Sequence, residues 1–462
     1  MHQPLYAGVA AVDITPWAGV QMAGDIGRYR PAGTVLDPLH ARVLVLRRGE
    51  KMLGIVSLET CMICQPYTQR IRTEAQRRFG IPPSALMLHA VQSHTAPGIG
   101  GFMLDEDFSG IPKDKQWLHG GDSAYDEMAV EAILTALAQA TQQMLPVQVG
   151  VGSGIEGRFA FNRRAVMRDG SIGMPWKGWQ GGALGPTNIA YIEGPIDPEV
   201  GVVCLRTEDQ KPLGLLLNYA CHPVHVFPKI LVSADWPGAW SAAMQARCGA
   251  ECIPLVLNGP CGNLNPWPPF DPDYVEDHHR MGQALAAMTD KVLAAMTFTG
   301  ETQLDGKVTY VQIPFREFDL NEVARVKTII EAGPAWTDDT QTAIAGEWMM
   351  AASYYSAFLQ AQREGVFEYE VQVLRLGDTA IIGLPGEPFI EAALRIKLAS
   401  PVRHTYVAHL TSQYVGYIPT REALPRGGHE CTHRYWSKLA PEALDMIVDR
   451  VIEMLRVMFG KE

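Results

Sequence analysis

The order of elements between residues 41 and 91 constrains the fold more than any other feature. Two apolar runs, Ala41–Leu46 and Leu53–Leu58, precede Gln65–Phe79, whose charged and small residues suit a surface helix, and a third apolar run, Leu86–Val91, follows. Strand–helix–strand alternation is the signature of an α/β unit. The expected class is therefore α/β, with mixed β-sheets flanked by helices. Later segments keep the alternation. Val200–Leu205, Leu213–Tyr219, Ile253–Leu257, Tyr369–Leu376 and Thr379–Leu384 read as strands. Tyr125–Leu145 (ended by Pro146), Ala239–Arg247, His278–Ala295, Pro388–Leu398 and Pro441–Phe459 read as helices, as does 322–365 with a break near Gly333–Pro334. Residues 98–125 are rich in Gly and Asp and lack a period, so an irregular loop is expected there. No repeat and no composition break divides the chain, and residues 1–462 are expected to form one catalytic unit.

Composition narrows the partners. With 47% hydrophobic residues in 462, the chain can bury a large core. A net charge of −11 argues against nucleic acid or an anionic membrane, which need basic patches to offset phosphate. No run approaches about 18 uninterrupted apolar residues, and residues 1–20 show no basic flank before an apolar core. The eight cysteines are sparse, so reduced thiols and a cytoplasmic location are expected. Cys61-Met-Ile-Cys64 has redox-motif spacing but lacks the usual aromatic, Gly or Pro context. The expected partner is a small-molecule substrate, with neither nucleic acid nor membrane; assembly into a homo-oligomer stays open.

Four segments carry chemistry. Leu86–Val91 breaks into Gln92-Ser93-His94-Thr95-Ala96-Pro97, and residues two apart on a strand face the same way, so Gln92 and His94 can converge. Leu217-Asn218-Tyr219-Ala220-Cys221-His222-Pro223-Val224-His225 again ends an apolar run in histidines, and imidazole at a strand end suits a borderline metal such as zinc. Leu384-Pro385-Gly386-Glu387-Pro388 sets a carboxylate at a helix start, where the dipole alone is a sufficient reason for it. Ser412-Gln413-Tyr414-Val415-Gly416-Tyr417-Ile418-Pro419, then Gly427-Gly428-His429-Glu430, supply two tyrosines that suit a pocket or rim packing equally. α/β folds place their sites where buried strands end in polar residues.

Taken in this order, the four segments resemble the neutral ceramidase family. Gly8–Pro16, Asp37–Leu46, Asn162-Arg163, Ser233-Ala234-Asp235-Trp236-Pro237-Gly238 and Asn258–Pro266 match as well, so the likeness spans roughly residues 5 to 455. The resemblance implies the catalytic-domain fold of that family without its C-terminal immunoglobulin-like domain. It also implies a metal held by two histidines, a glutamate and a tyrosine. Carried over, the ligands are His222, Glu387 and Tyr417. The family's His-Thr-His-Ser-Gly-Pro reads Gln92-Ser93-His94-Thr95-Ala96-Pro97 here, so Gln92 stands at the first ligand's place and His94 at the histidine beside the substrate. An amide oxygen is a poor zinc ligand beside imidazole. Three arrangements stay open: His94 or His225 acts as ligand, the site takes a harder metal, or it holds none. The family's catalytic serine is absent from Asn263-Leu264-Asn265-Pro266, where Asn265 can donate to an oxyanion.

The expected function is a metal-dependent hydrolase, with Zn2+ or another divalent metal, cleaving an amide-type C–N bond of a small polar substrate other than ceramide. His94 would carry the proton, Tyr417, Asn265 and Arg163 would act on the reacting group, and Arg164, Asp235, His225 and Tyr414 would bind substrate. Trp117, Trp176, Trp179 and Trp436 are candidate pocket walls. A metal-assisted lyase or isomerase and a catalytically inactive small-molecule binding protein are the alternatives.

Overall fold

The structure is a computed structural model that describes residues 3–175, 188–271 and 274–460. Three helices connect strands that lie parallel, and they decide the architecture. Helix α1 (Gln65–Phe79) joins Lys51–Leu58 to Leu86–Ala90; α1 begins with a Pro in its first turn and ends on Gly80 at φ 72°. Helix α2 (Ser123–Gln142) follows the irregular segment, and the Asp122 side chain accepts from the Ala124 and Tyr125 amides at its start. Helix α3 (Asp235–Cys248) joins Pro212–Tyr219 to Ile253–Asn258. After α4 (His278–Ala294), α5 (Leu320–Glu331) and α6 (Gly346–Glu364), helix α7 (Ile390–Ala399) joins Thr379–Gly383 to His404–Ala408, and α8 (Ala443–Phe459) follows. Parallel strands cannot be joined by a tight turn, so each pair needs its helix.

These strands belong to two large sheets. Nine strands form the first, in the spatial order Ile253–Asn258, Pro212–Tyr219, Glu199–Thr207, Leu145–Ile155, Tyr6–Asp13, His40–Arg48, Lys51–Leu58, Leu86–Ala90, with Phe298–Thr299 also pairing on Leu145–Ile155. The second runs Leu304–Pro314, Val366–Leu376, Thr379–Gly383, His404–Ala408. Period-two alternation sorts the side chains into layers. Val43, Val45, Val56 and Leu58 pack under α1 and α2, and Val202, Cys204, Leu215 and Leu217 under α3 and α4. Their neighbours Leu44, Leu46, Val203, Leu205 and Leu216 point the other way, onto Leu374, Leu376, Ile381 and Tyr406 of the second sheet. The outer face of the second sheet (Val371, Val373, Ala380, Ile382) carries α7 and α8. The order is helix, sheet, sheet, helix, which confirms the α/β class with mixed sheets.

One boundary differs from expectation. The helix expected over 125–145 ends at Gln142, because Leu145–Ile155 is a long strand whose Pro146 sits at its start opposite Tyr6. The break expected near Gly333–Pro334 within 322–365 is present: α5 and α6 are separated by residues 332–345, with Gly333 at φ 82°.

Candidate active site

All three parallel pairs direct their carboxyl ends to one place, and buried polar side chains knit these ends together. The His89 ring donates from Nδ1 to the His409 carbonyl at 2.6 Å and accepts the Asn258 amide on Nε2 at 2.9 Å. The Asn258 side chain donates to the Val91 and Cys221 carbonyls, and Asn218 to those of Leu257 and Val407. His89, Asn218, Asn258 and His409 had no assigned role in the sequence; their signal was polarity inside otherwise apolar runs.

Two residues beyond the Pro212–Tyr219 strand comes Cys221, then His222. The His222 ring is fully buried, and its Nδ1 donates to the carbonyls of Cys261 (2.6 Å) and Leu264 (2.9 Å). The proton therefore sits on Nδ1 and leaves Nε2 with a bare lone pair. Burial, reinforced by the Arg163 charge, holds the ring well below the usual histidine range, so it is neutral. Facing Nε2 at 3.4 Å is Oε2 of Glu387. Both atoms are enclosed and neither has a hydrogen-bond partner.

Glu387 is placed by backbone pairing: Glu387–Pro388 lies parallel to Tyr417–Ile418, and the Glu387 amide donates to the Gly416 carbonyl at 2.8 Å. Two glycines permit this approach. Gly386 (φ 69°) would put a Cβ 2.6 Å from the Gly416 oxygen, and Gly416 (φ 90°) would put one 2.4 Å from the Trp436 oxygen. Burial raises the Glu387 carboxyl above its ordinary range, opposed by Arg163, His94, Gln92 and Tyr417 close beside it. Burial, and then the Glu387 charge, raises the Tyr417 hydroxyl well above a phenol's range, opposed by Arg163.

Gln92 adopts φ 74°, uncommon for a residue with a Cβ, and its Oε1 accepts the Cys261 thiol at 3.4 Å. His94 stands across from His222, with ring centroids 5.5 Å apart. Its Nδ1 donates to the Gly24 carbonyl at 3.2 Å, which leaves Nε2 as a lone pair. Burial first, then the His222 ring, pushes His94 down to about 3, against the pull of Glu387.

The adjacent arginines part ways. The Arg163 guanidinium lies over the Tyr417 ring, donates to Glu430 at 2.7 Å, and gives Nη1 to Asn265 Oδ1 at 3.2 Å. Asn265 therefore retains its amide NH2 as a donor. Arg164 turns away into a closed network with Glu193, Glu430 and the Gly427 carbonyl. Glu430, fully enclosed, is raised by burial but lowered further by Arg163, His429 and Arg164, to about 2.

Gln92, His94, Arg163, Asn265, Glu387, Tyr414, Tyr417 and His429 all line one pocket of about 400 Å³. Its apolar wall includes Met62, Phe102, Met103, Phe227, Trp267 and Trp436. His429, given no role from the sequence, stacks on Trp436 at 5.6 Å. Arg164, Asp235 and His225 do not line it. His225 Nδ1 donates to Asp235 Oδ1 at 2.9 Å, and Asp235 Oδ2 takes the Val226 amide, so this pair orients its own loop. Trp117 packs against Tyr29 and Trp336 elsewhere, while Trp176 and Trp179 lie outside the described residues.

The His222–Glu387 gap tests whether a metal fits. A bare imidazole lone pair facing a carboxylate oxygen is repulsive unless a cation or a proton stands between them. Two ligands at 2.0–2.1 Å in a tetrahedral site lie roughly 3.4 Å apart. The observed 3.4 Å matches that spacing and is long for a direct hydrogen bond. His222, Glu387 and Tyr417, with Gln92 or His94 adjacent, therefore fit a divalent cation.

The fold is that of neutral ceramidase. A structure of neutral ceramidase from Pseudomonas aeruginosa superposes with a TM-score of 0.73 at 17% identity, covering 99% of this chain and 75% of that one. A second, a ceramidase complexed with C2, gives 0.72 at 17% identity with the same coverage. No sequence-family model and no curated protein sequence matches the chain.

Proposed function

We propose that this chain is a metal-dependent hydrolase that uses zinc or another divalent metal to cleave an amide-type C–N bond. The 3.4 Å gap between the unpartnered His222 Nε2 and Glu387 Oε2 carries this reading, and the likeness to neutral ceramidase supports it. A divalent cation held by His222, Glu387 and Tyr417 supplies Lewis acidity, which polarises a carbonyl and acidifies water near neutral pH. The chain's own residues do the rest. Neutral His94 offers Nε2 to the pocket, takes a proton from the attacking water and returns it to the leaving nitrogen. Asn265 and the Tyr417 hydroxyl donate to the oxygen that gains charge. Arg163, neutralised by Glu430, holds both in place through Nη1 and its guanidinium face.

The substrate reading shifts from polar to amphipathic. Arg164 is engaged away from the pocket, Arg163 already has its carboxylate, and much of the wall is apolar. We infer an N-acyl compound whose acyl arm runs along Phe102, Phe227 and Trp267, with ceramide kept among the candidates. Eight free cysteines support a cytoplasmic location; no helix among the described residues is long and apolar enough to cross a membrane.

The test is elemental mass spectrometry on untagged protein beside a His222→Ala/Glu387→Ala variant, with a panel of N-acyl amino acids, N-acyl amines and ceramides. Metal and turnover present in the wild type and lost from the variant are expected. Turnover that survives in a variant unable to hold metal at this site would sink the reading.

A further inference from the structure

We propose a second divalent-cation site, outside the pocket, formed by Asp37, His278 and His279. Asp37 precedes the His40–Arg48 strand, and the two histidines open α4, whose start is capped by Asp277. His278 Nε2 lies 3.1 Å from Asp37 Oδ2, and one ligand atom from each of the three residues falls within 4.8 Å of the others. The two imidazoles face each other at a centroid distance of 3.9 Å and an interplanar angle of 36°. Two imidazoles and a carboxylate are the donor set of a borderline metal with one position left for water.

Burial grades across the cluster. His278 is buried, Asp37 is half-buried and His279 is exposed, so an ion has an entry side. Asp37 and His278 are hydrogen-bonded at 3.1 Å, close to the roughly 3.4 Å between tetrahedral ligands, so a cation would replace the proton on His278 Nε2 with little movement of either side chain. The wider gap involves His279, the exposed member of the three. The amino end of α4 disfavours a cation, but the carboxylates of Asp37, Asp235 and Asp277 all bear on His278 and outweigh the partial charge of a helix end.

The site has a structural reach toward the pocket. Asp37 Oδ2 also accepts the Ser233 hydroxyl at 2.5 Å, and Ser233 Oγ takes the Asp235 amide at 2.9 Å. The Ser233 carbonyl in turn accepts the hydroxyls of Ser93 and Thr95, which flank His94. A cation here ties α4, the Asp37 segment and the 233–235 turn to the strand end that presents His94. Its role is bracing, not catalysis.

The test uses untagged full-length protein, stripped with chelator and titrated with Zn2+, reading bound equivalents and the Zn2+-dependent rise in Tm. Two equivalents are expected in the wild type and one in His279→Ala, a change at an exposed residue that leaves folding intact. Asp37→Asn is expected to match His279→Ala. In His222→Ala/Glu387→Ala one equivalent and its Tm rise are expected to persist, and adding His279→Ala removes both. Equal zinc in the wild type and His279→Ala would overturn the second site. A single wild-type equivalent that His279→Ala removes and His222→Ala/Glu387→Ala keeps would support the second site while sinking the first.

Discussion

His222 and His225 lie three residues apart, each faces a buried carboxylate, and the two pairs do opposite things. His225 gives its Nδ1 proton to Asp235 at 2.9 Å, and the other Asp235 oxygen is taken by a backbone amide. His222 gives its Nδ1 proton to two backbone carbonyls instead, so what reaches Glu387 is a lone pair at 3.4 Å. One pair is a finished hydrogen bond inside a loop. The other is two acceptors pressed together, an arrangement that needs a cation or a proton between them. Which ring nitrogen meets the carboxylate thus separates an orienting pair from a ligand pair.

The largest effect should come from exchanging the carboxylates for amides. Glu387→Gln is expected to weaken Zn2+ binding at the pocket by more than the roughly 10–100-fold that loss of an outer-shell partner costs, whereas Asp235→Asn, whose partner His225 lies outside the pocket, should leave it near the wild-type value. Competition titrations with a zinc indicator decide it, and similar losses in both variants would erase the distinction between the pairs. The sign of the pH dependence follows from the same geometry. His222 is already neutral, while Glu387 is raised by burial and must release its proton to bind metal. Affinity should therefore fall as pH drops through the carboxyl's pKa.

Next in size is His94→Gln, which retains metal but removes the proton carrier; kcat should fall about 100- to 10,000-fold with zinc content unchanged. Loss of metal in that variant would make His94 a ligand and redraw the site. The smallest effect is Gln92→His. Gln92 stands beside Glu387 at a strand end, so an imidazole there adds a donor and should tighten zinc about tenfold. Unchanged affinity would show that the side chain cannot turn from Cys261 toward the ion.

Much of this was legible in the chain. Helix Gln65–Phe79 and the strands around it follow from apolar runs and the charged, small residues between them, and Gln92, His94, His222, Glu387 and Tyr417 are marked by polar residues interrupting such runs. The strand Leu145–Ile155 was hidden because Pro146 reads as a helix stop, and a Pro is equally at home where a strand begins. The opposite fates of Arg163 and Arg164 were hidden because both partners, Glu193 and Glu430, come from distant segments. The His225–Asp235 bond was hidden for a simpler reason: tautomer is a property of neighbours in space, which spacing along the chain does not encode.

The stacking of one sheet on the other also sets an order of events in biosynthesis. The first sheet is complete once residue 299 has emerged, and its inner face of Leu44, Val203 and Leu216 then has nothing to cover it. Glu387 and Tyr417 arrive with the second sheet, so Glu387 meets His222 only after that apolar face is closed. Until then the nascent chain presents a surface suited to chaperones and to self-association. A chain halted before Leu304 should sediment as aggregate, and a soluble one would show that the first sheet stands alone. A metal bound by the proposed site would, on this order, be captured late, after sheet docking, and would not drive it.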